Sequence, residues 1–245
     1  QHSDFGVVLA RTDPARPKHR GLSMFIVDMH ARGVTVRPLR VATGGAPFNE
    51  VYFDDVRLPA GSLIGEEDKG WDAAVVMLRN ERVAIGTMVT SRANPLSYDS
   101  LSRLAAKSGR TGEVRRRLAE LYARERAVAL FGQVLREEAM AGRMPGARGS
   151  VAKLAGAELV SFAADVAADV LSDRAAGPAS AEAAAVVTAI VAVPGGSIAG
   201  GTNEIQRNII GERVLGLAKD AGVDRETPFN QLKVGTQQKP GAEAG

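Results

Sequence analysis

The chain has 245 residues, 45% apolar and 24% charged, which is the balance of a folded globular protein with room for one large domain or two modest ones. It has no run of about eighteen apolar residues to span a membrane, and Gln1 to Phe5 lack the charged start and apolar core of a secretory leader. Its 31 basic and 28 acidic residues leave a formal charge of only +3, and the lack of cysteine excludes disulfides, thiolate nucleophiles and Cys-ligated metals, as fits a reducing cytoplasm.

The first sixty or so residues read as strands. Phe5–Arg11, Leu22–Asp28, Val34–Leu39 and Phe48–Val56 are short and rich in Val, Ile, Phe and Tyr. Turn signals separate them at Thr12-Asp13-Pro14, Arg32-Gly33 and Gly44-Gly45. Val51 and Phe53 alternate with Glu50, Tyr52 and Asp54, the pattern of a half-buried antiparallel strand. So few strands make part of a β-barrel or sandwich, and the chain reads as a piece of something longer.

From about Lys69 the apolar period becomes helical. Helices are expected over Trp71–Met88, Leu96–Ala106, Glu113–Met140, Ser150–Leu171 and an Ala-rich Ala181–Val193, stopped by Pro194-Gly195-Gly196. A last helix begins near Thr202 and runs to about Leu215, where Gly216 can end it. Strands followed by helices give an α+β, multi-domain chain. A partial antiparallel β-barrel domain (1–66) is followed by a four-helix-type α-helical bundle (67–220), then a tail (221–245).

The richest stretch chemically is Gly195 to Arg207. Glycines just ahead of a helix leave backbone N–H groups open, and the helix start adds partial positive charge. Such a site suits a phosphate or a carbonyl oxygen gaining negative charge, though the same residues also make a plain loop and cap, with Thr202 as N-cap. The basic runs Arg16-Pro17-Lys18-His19-Arg20 and Arg115-Arg116-Arg117 could mark a nucleic-acid module. Without accompanying aromatic residues they read instead as a solvated loop and helix face, so no nucleic-acid partner is expected. His2, His19 and His30 have no carboxylate cluster around them, so no metal site is expected.

The run Ile198-Ala199-Gly200-Gly201-Thr202-Asn203-Glu204-Ile205-Gln206-Arg207-Asn208-Ile209-Ile210-Gly211-Glu212-Arg213 resembles the C-terminal signature of acyl-CoA dehydrogenases. Upstream, Gly21 to Val27, Phe48 to Pro59, Leu63-Ile64-Gly65-Glu66 and Gly70-Trp71 resemble that family's middle β-domain and its exit into the bundle. By this resemblance residues 1–66 are the second half of the β-domain. The N-terminal helical domain and the first half of the β-domain are then expected to be missing, so the isolated piece would be inactive.

The resemblance implies an FAD-dependent oxidoreductase of lipid metabolism and fatty acid β-oxidation, removing two hydrogens from an acyl-CoA or other acyl thioester. Electron-transfer flavoprotein would be the acceptor, and a homo- or hetero-tetramer the assembly. The base in many members is a Glu at the position of Gly200, which has no side chain. A smaller group carries it on the first bundle helix before an Arg, and here that site is Glu81-Arg82. Glu81 would take the α-proton and Arg82 would stand beside the substrate. Val75, Val76, Met77, Leu78, Val83 and Ile85 around Glu81 would raise its pKa by desolvation, and a structural Glu81–Arg82 ion pair is the alternative.

Thr202, Asn203 and Glu204 match positions that touch FAD, and the Gly200 N–H matches a donor to the thioester carbonyl. Two family segments are not matched. An ungapped count places Lys107 to Gly112 where Arg-x-x-Phe-Gly is usual, and Asp169 to Asp173 where Gln-x-x-Gly-Gly is usual. Their loss favours an alternative role, a non-catalytic or half-site subunit of a heteromeric acyl-CoA dehydrogenase.

Overall fold

A computed structural model describes residues 1–78, 94–143, 146–171, 180–218 and 226–232. The fold is α+β, with antiparallel strands first and helices after them. Two compact units divide the chain. One holds the described residues of Gln1–Arg40, Ala46–Asn80 and Asp220–Gly245, the other those of Val41–Gly45 and Glu81–Lys219.

In the first unit β1 (Phe5–Arg11) pairs antiparallel with β2 (Leu22–Asp28), Phe5 opposite Asp28 and Arg11 opposite Leu22. A short β5 (Leu63–Ile64) adds to the other edge of β2 through Met24–Ile64. β3 (Val34–Leu39) and β4 (Phe48–Phe53) form a separate two-stranded ribbon. β4 ends earlier than Val56, because Asp54 turns its N–H to Gly33 O at 2.9 Å and Asp55 takes a positive φ of 47°. The alternation read in β4 does not become half-burial: Val51 and Phe53 are 38% and 43% exposed. A two-stranded ribbon buries side chains only if another layer covers it, and among the described residues none does so here.

Ser23 is fully buried in β2 yet satisfied, with the Asp68 N–H donating to its hydroxyl (2.8 Å) and Thr12 Oγ1 2.8 Å away. The first helix, α1 (residues 70–78), starts against this strand. A Cβ at Gly70 would lie 2.5 Å from the Met24 backbone nitrogen, so only glycine lets the helix begin that close. The described residues 226–232 also belong to the first unit, where Pro228 bridges Pro17. Phe229 N–H donates to Arg16 O and Asn230 N–H to Pro14 O, both at 3.0 Å, and the Arg11 guanidinium lies 3.9 Å over the Phe229 ring.

The second unit is helical: α2 (Tyr98–Lys107), α3 (Thr111–Met140), α4 (Arg148–Leu171), α5 (Ala181–Gly196) and α6 (Asn203–Arg213). Its core joins Leu101 and Ala105 of α2, Val114, Leu118 and Leu121 of α3, and Val186 of α5. α4 supplies Ala163, Ala164, Val166, Ala167, Val170 and Leu171, a stripe at helical spacing whose small members admit close neighbours. α4 packs against α2, α3, α5 and α6. Its outer edge is tied to α3 by an Arg117–Asp169 ion pair and by the Arg124 guanidinium 4.1 Å over the Phe162 ring.

α5 runs through Pro194 to Gly196 rather than stopping at Val193. Proline has no N–H to give the preceding turn, but its carbonyl still accepts from Ser197 N–H at 3.1 Å, so the last turn closes. Among the described residues no helix is long and apolar enough to cross a membrane.

Candidate functional site

The loop between α5 and α6 and the first turn of α6 bring four of the expected site residues together: Gly200, Thr202, Asn203 and Glu204. Glu81 and Arg82 lie outside the described residues. Gly200 (φ 66°) and Gly201 (φ 91°) both occupy the left-handed region, where side chains are strained. Thr202, in extended backbone, caps α6, its hydroxyl accepting the Ile205 N–H at 3.3 Å.

The first turn of α6 satisfies its own donors. Asn203 N–H donates to Ser197 O (3.0 Å) and Gln206 N–H to Thr202 O (2.9 Å). The Glu204 carboxylate folds back onto its own backbone N–H and the Thr202 hydroxyl. Those two bonds, with Arg207 and Lys153 adding positive charge, hold its pKa below the usual carboxylate value. The open donors lie one step earlier: the N–H groups of Gly200, Gly201 and Thr202 have no acceptor among the described residues. Three successive unpaired donors beside a helix start form a cradle for an oxygen carrying or gaining negative charge.

Two further residues shape this loop, and the sequence reading missed both. Gln206, 2% exposed, donates from its amide to Gly200 O (3.0 Å) and Gly201 O (3.3 Å). The glycine carbonyls are thereby held on the α6 side. A Cβ at Gly201 would lie 2.6 Å from that amide nitrogen. Lys153 of α4 donates from Nζ to Asn203 Oδ1 at 2.9 Å, with Ser197 O at 3.4 Å. Burial pushes its pKa down, and the charge of Glu204 opposes that. The signal for Gln206 was a polar residue one helical turn after the cap, on the face that must pack. Lys153 carried no local signal, because its partners lie far along the chain.

One residue of each segment that stands where those family motifs are usual is engaged within the bundle. Lys107 Nζ pairs with Glu182 of α5 at 2.6 Å, and Asp169 pairs with Arg117.

The model of the acyl-CoA dehydrogenase C-terminal domain matches residues 68–215. Acyl-CoA dehydrogenase FadE34 of Mycobacterium tuberculosis is 37% identical over 215 residues, which are 88% of this chain and 29% of that protein. Acyl-CoA dehydrogenase IpdE1 of the same organism is 33% identical over 221 residues, covering 89% of this chain and 57% of that one. Among solved structures, a chain of the ChsE4-ChsE5 complex from Mycobacterium tuberculosis superimposes with a TM-score of 0.72 at 29% identity, over 89% of this chain and 58% of its own. The chain therefore spans less than two thirds of the length of these relatives. With the domain match running from just before α1 to just past α6, the chain belongs to the acyl-CoA dehydrogenase family.

Proposed function

We propose that the whole protein carrying this chain is an FAD-dependent acyl-CoA dehydrogenase, and that the glycine loop is where it polarises the acyl thioester. The carrying observation is the set of N–H groups at Gly200, Gly201 and Thr202 that have no acceptor among the described residues, in a loop whose carbonyls Gln206 holds. That donor set fits FAD and a thioester together: the cradle ahead of the helix suits phosphate oxygens, and the Gly200 N–H suits a carbonyl oxygen that becomes more negative as the α-proton leaves. Thr202, Asn203 and Glu204 would hold the cofactor. When bound, FAD supplies the acceptor for the β-hydrogen. Glu81 takes the α-proton and Arg82 stands beside it. Residues 1–66 then form part of the β-domain, 67–220 the bundle and 221–245 a tail. Electron-transfer flavoprotein is the acceptor implied by the family resemblance.

The test is the visible spectrum of the whole protein, supplied with FAD and titrated with acyl-CoAs of graded length. A bound flavin band that bleaches with substrate is expected. Glu81→Gln should keep the band and slow bleaching by roughly 10²–10⁴-fold, the range for losing a general base. Unimpaired bleaching in that variant would remove Glu81 from the role.

One observation favours a second reading, a half-site subunit within a heteromer. Lys107 and Asp169, which stand where the family carries flavin contacts, are spent on ion pairs inside this chain. The solved ChsE4-ChsE5 complex, one chain of which superimposes on this one, carries two differently named components. A wild-type protein that takes up no flavin alone, and does so with a co-expressed homologous partner, would establish this reading over the homomer.

A further inference from the structure

We infer that Lys153 is a positioning residue for the reaction, clamping the two ends of the glycine loop so that the Gly200 N–H stays where the thioester carbonyl must meet it. The inference rests on the role of Gly200 proposed above. Gly200 and Gly201 have no Cβ to restrict them, so left-handed backbone at both is one of many states the chain could adopt. Something outside the loop must select it.

Two side chains do so from different sides. Gln206 takes the glycine carbonyls, as described. Lys153 takes the ends: Asn203 Oδ1 at 2.9 Å on the helix side and Ser197 O at 3.4 Å on the α5 side. Those ends already meet, since Asn203 N–H donates to Ser197 O at 3.0 Å, so the ammonium sits on the clasp that closes the loop. Neither Gln206 nor Lys153 engages the Gly200, Gly201 or Thr202 N–H groups, which stay available.

The chemistry of the clamp separates it from an ordinary surface pair. Both acceptors of Lys153 are neutral dipoles, and Glu204 acts on it only through space. A half-buried ammonium on neutral acceptors gains little stability for the fold. It does fix geometry, because α4 is anchored in the bundle core and the side chain transfers that rigidity to the loop. A donor to a developing oxyanion works by being in place beforehand, and a displacement of about 1 Å can cost about 10²-fold in rate.

The test compares Lys153→Met, of similar length without the charge, and Lys153→Arg with wild type, in the whole flavin-loaded protein. The rate per bound flavin should fall about tenfold or more in Lys153→Met, with KM for acyl-CoA within about twofold, because the Gly200 bond strengthens mainly in the transition state. The C=O stretch of a bound α,β-unsaturated thioester should move back toward its free frequency, and Lys153→Arg should recover part of both effects. Independently of flavin, exchange of the Asn203 amide should quicken roughly tenfold in Lys153→Met.

A Met variant with wild-type rate per flavin and an unmoved stretch overturns the inference. So does a loss confined to flavin content or melting temperature, which would make Lys153 merely structural. A wild type without flavin or bleaching refutes the parent reading and this role with it. In that case a quickened Asn203 amide would still establish the clamp as a feature of the fold.

Discussion

At the scale of the residue, Gly201 concentrates the demands on the loop. Its φ of 91° already excludes most side chains, and a methyl group there would meet the Gln206 amide at 2.6 Å. That amide cannot swing into water without giving up its bonds to the Gly200 and Gly201 carbonyls from a buried position. Gly201→Ala should therefore cost about 1–2 kcal/mol for the left-handed backbone, and about 1–3 kcal/mol more if the amide loses its acceptors. Gly195→Ala is the matched control. It sits in the last turn of α5 with nothing within 4 Å of the added carbon, and should be neutral or gain up to about 1 kcal/mol. Thermal melting of both variants checks this. Equal behaviour would mean that Gln206 does not hold the loop.

At the scale of the element, the starts of α2, α5 and α6 are each secured by a side chain. Ser97 and Ser180 cap α2 and α5 as Thr202 caps α6. α2 has a second cap from elsewhere in the bundle: Glu125 of α3 accepts the Tyr98 N–H at 2.8 Å. Burial lifts the Glu125 pKa above the usual carboxylate value, the Tyr98 N–H works against that, and Asp99 adds to it. The folded chain thus holds this proton more tightly than the unfolded chain. Stability contributed here is present at acid pH and is lost as pH rises from the usual Glu range through the raised value. Glu125→Gln keeps an oxygen for the Tyr98 N–H and removes the charge. It should therefore unfold at higher denaturant than wild type at neutral pH, and the gap should close below the usual Glu range. A variant weaker than wild type at neutral pH would show that the charged hydrogen bond outweighs the burial.

The same elements mark what could be read beforehand. β1, β2 and β3, α4 and the Thr202 cap followed from apolar period and local chemistry, because each is decided by residues near one another in sequence. The early end of β4 was hidden because Asp55 takes a positive φ that its type does not announce. The passage of α5 through Pro194 overrode a local breaker signal. The Glu125 cap and the Lys153 clamp depend on partners brought close only by packing. Of the candidate site, Gly200, Thr202, Asn203 and Glu204 were named together because the family resemblance falls on one short run, which the structure keeps together at the start of α6. Gln206 lies in that run but was passed over as an ordinary helix residue.

At the scale of the whole molecule, the helical unit has one continuous core, and the position of the glycine loop depends on it through α4. Leu121 of α3 is fully buried within that core, in the cluster shared with Leu101, Val166, Ala167, Val170 and Val186. The alanines of α4 around it cannot extend to fill a void, so a cavity left there would persist. Leu121→Ala should accordingly cost about 2–5 kcal/mol, toward the upper part of that range. Since the cluster joins α2, α3, α4 and α5, amide protection should fall in all four together rather than in α3 alone. Denaturant unfolding with hydrogen exchange read helix by helix measures both. A loss confined to α3 would mean that the helices open separately. In that case α4 could hold the Lys153 clamp without the rest of the core, and the site would be insulated from damage elsewhere in the bundle. A joint loss makes the geometry at Gly200 a property of the entire helical unit, so core variants far from the loop should also slow the chemistry.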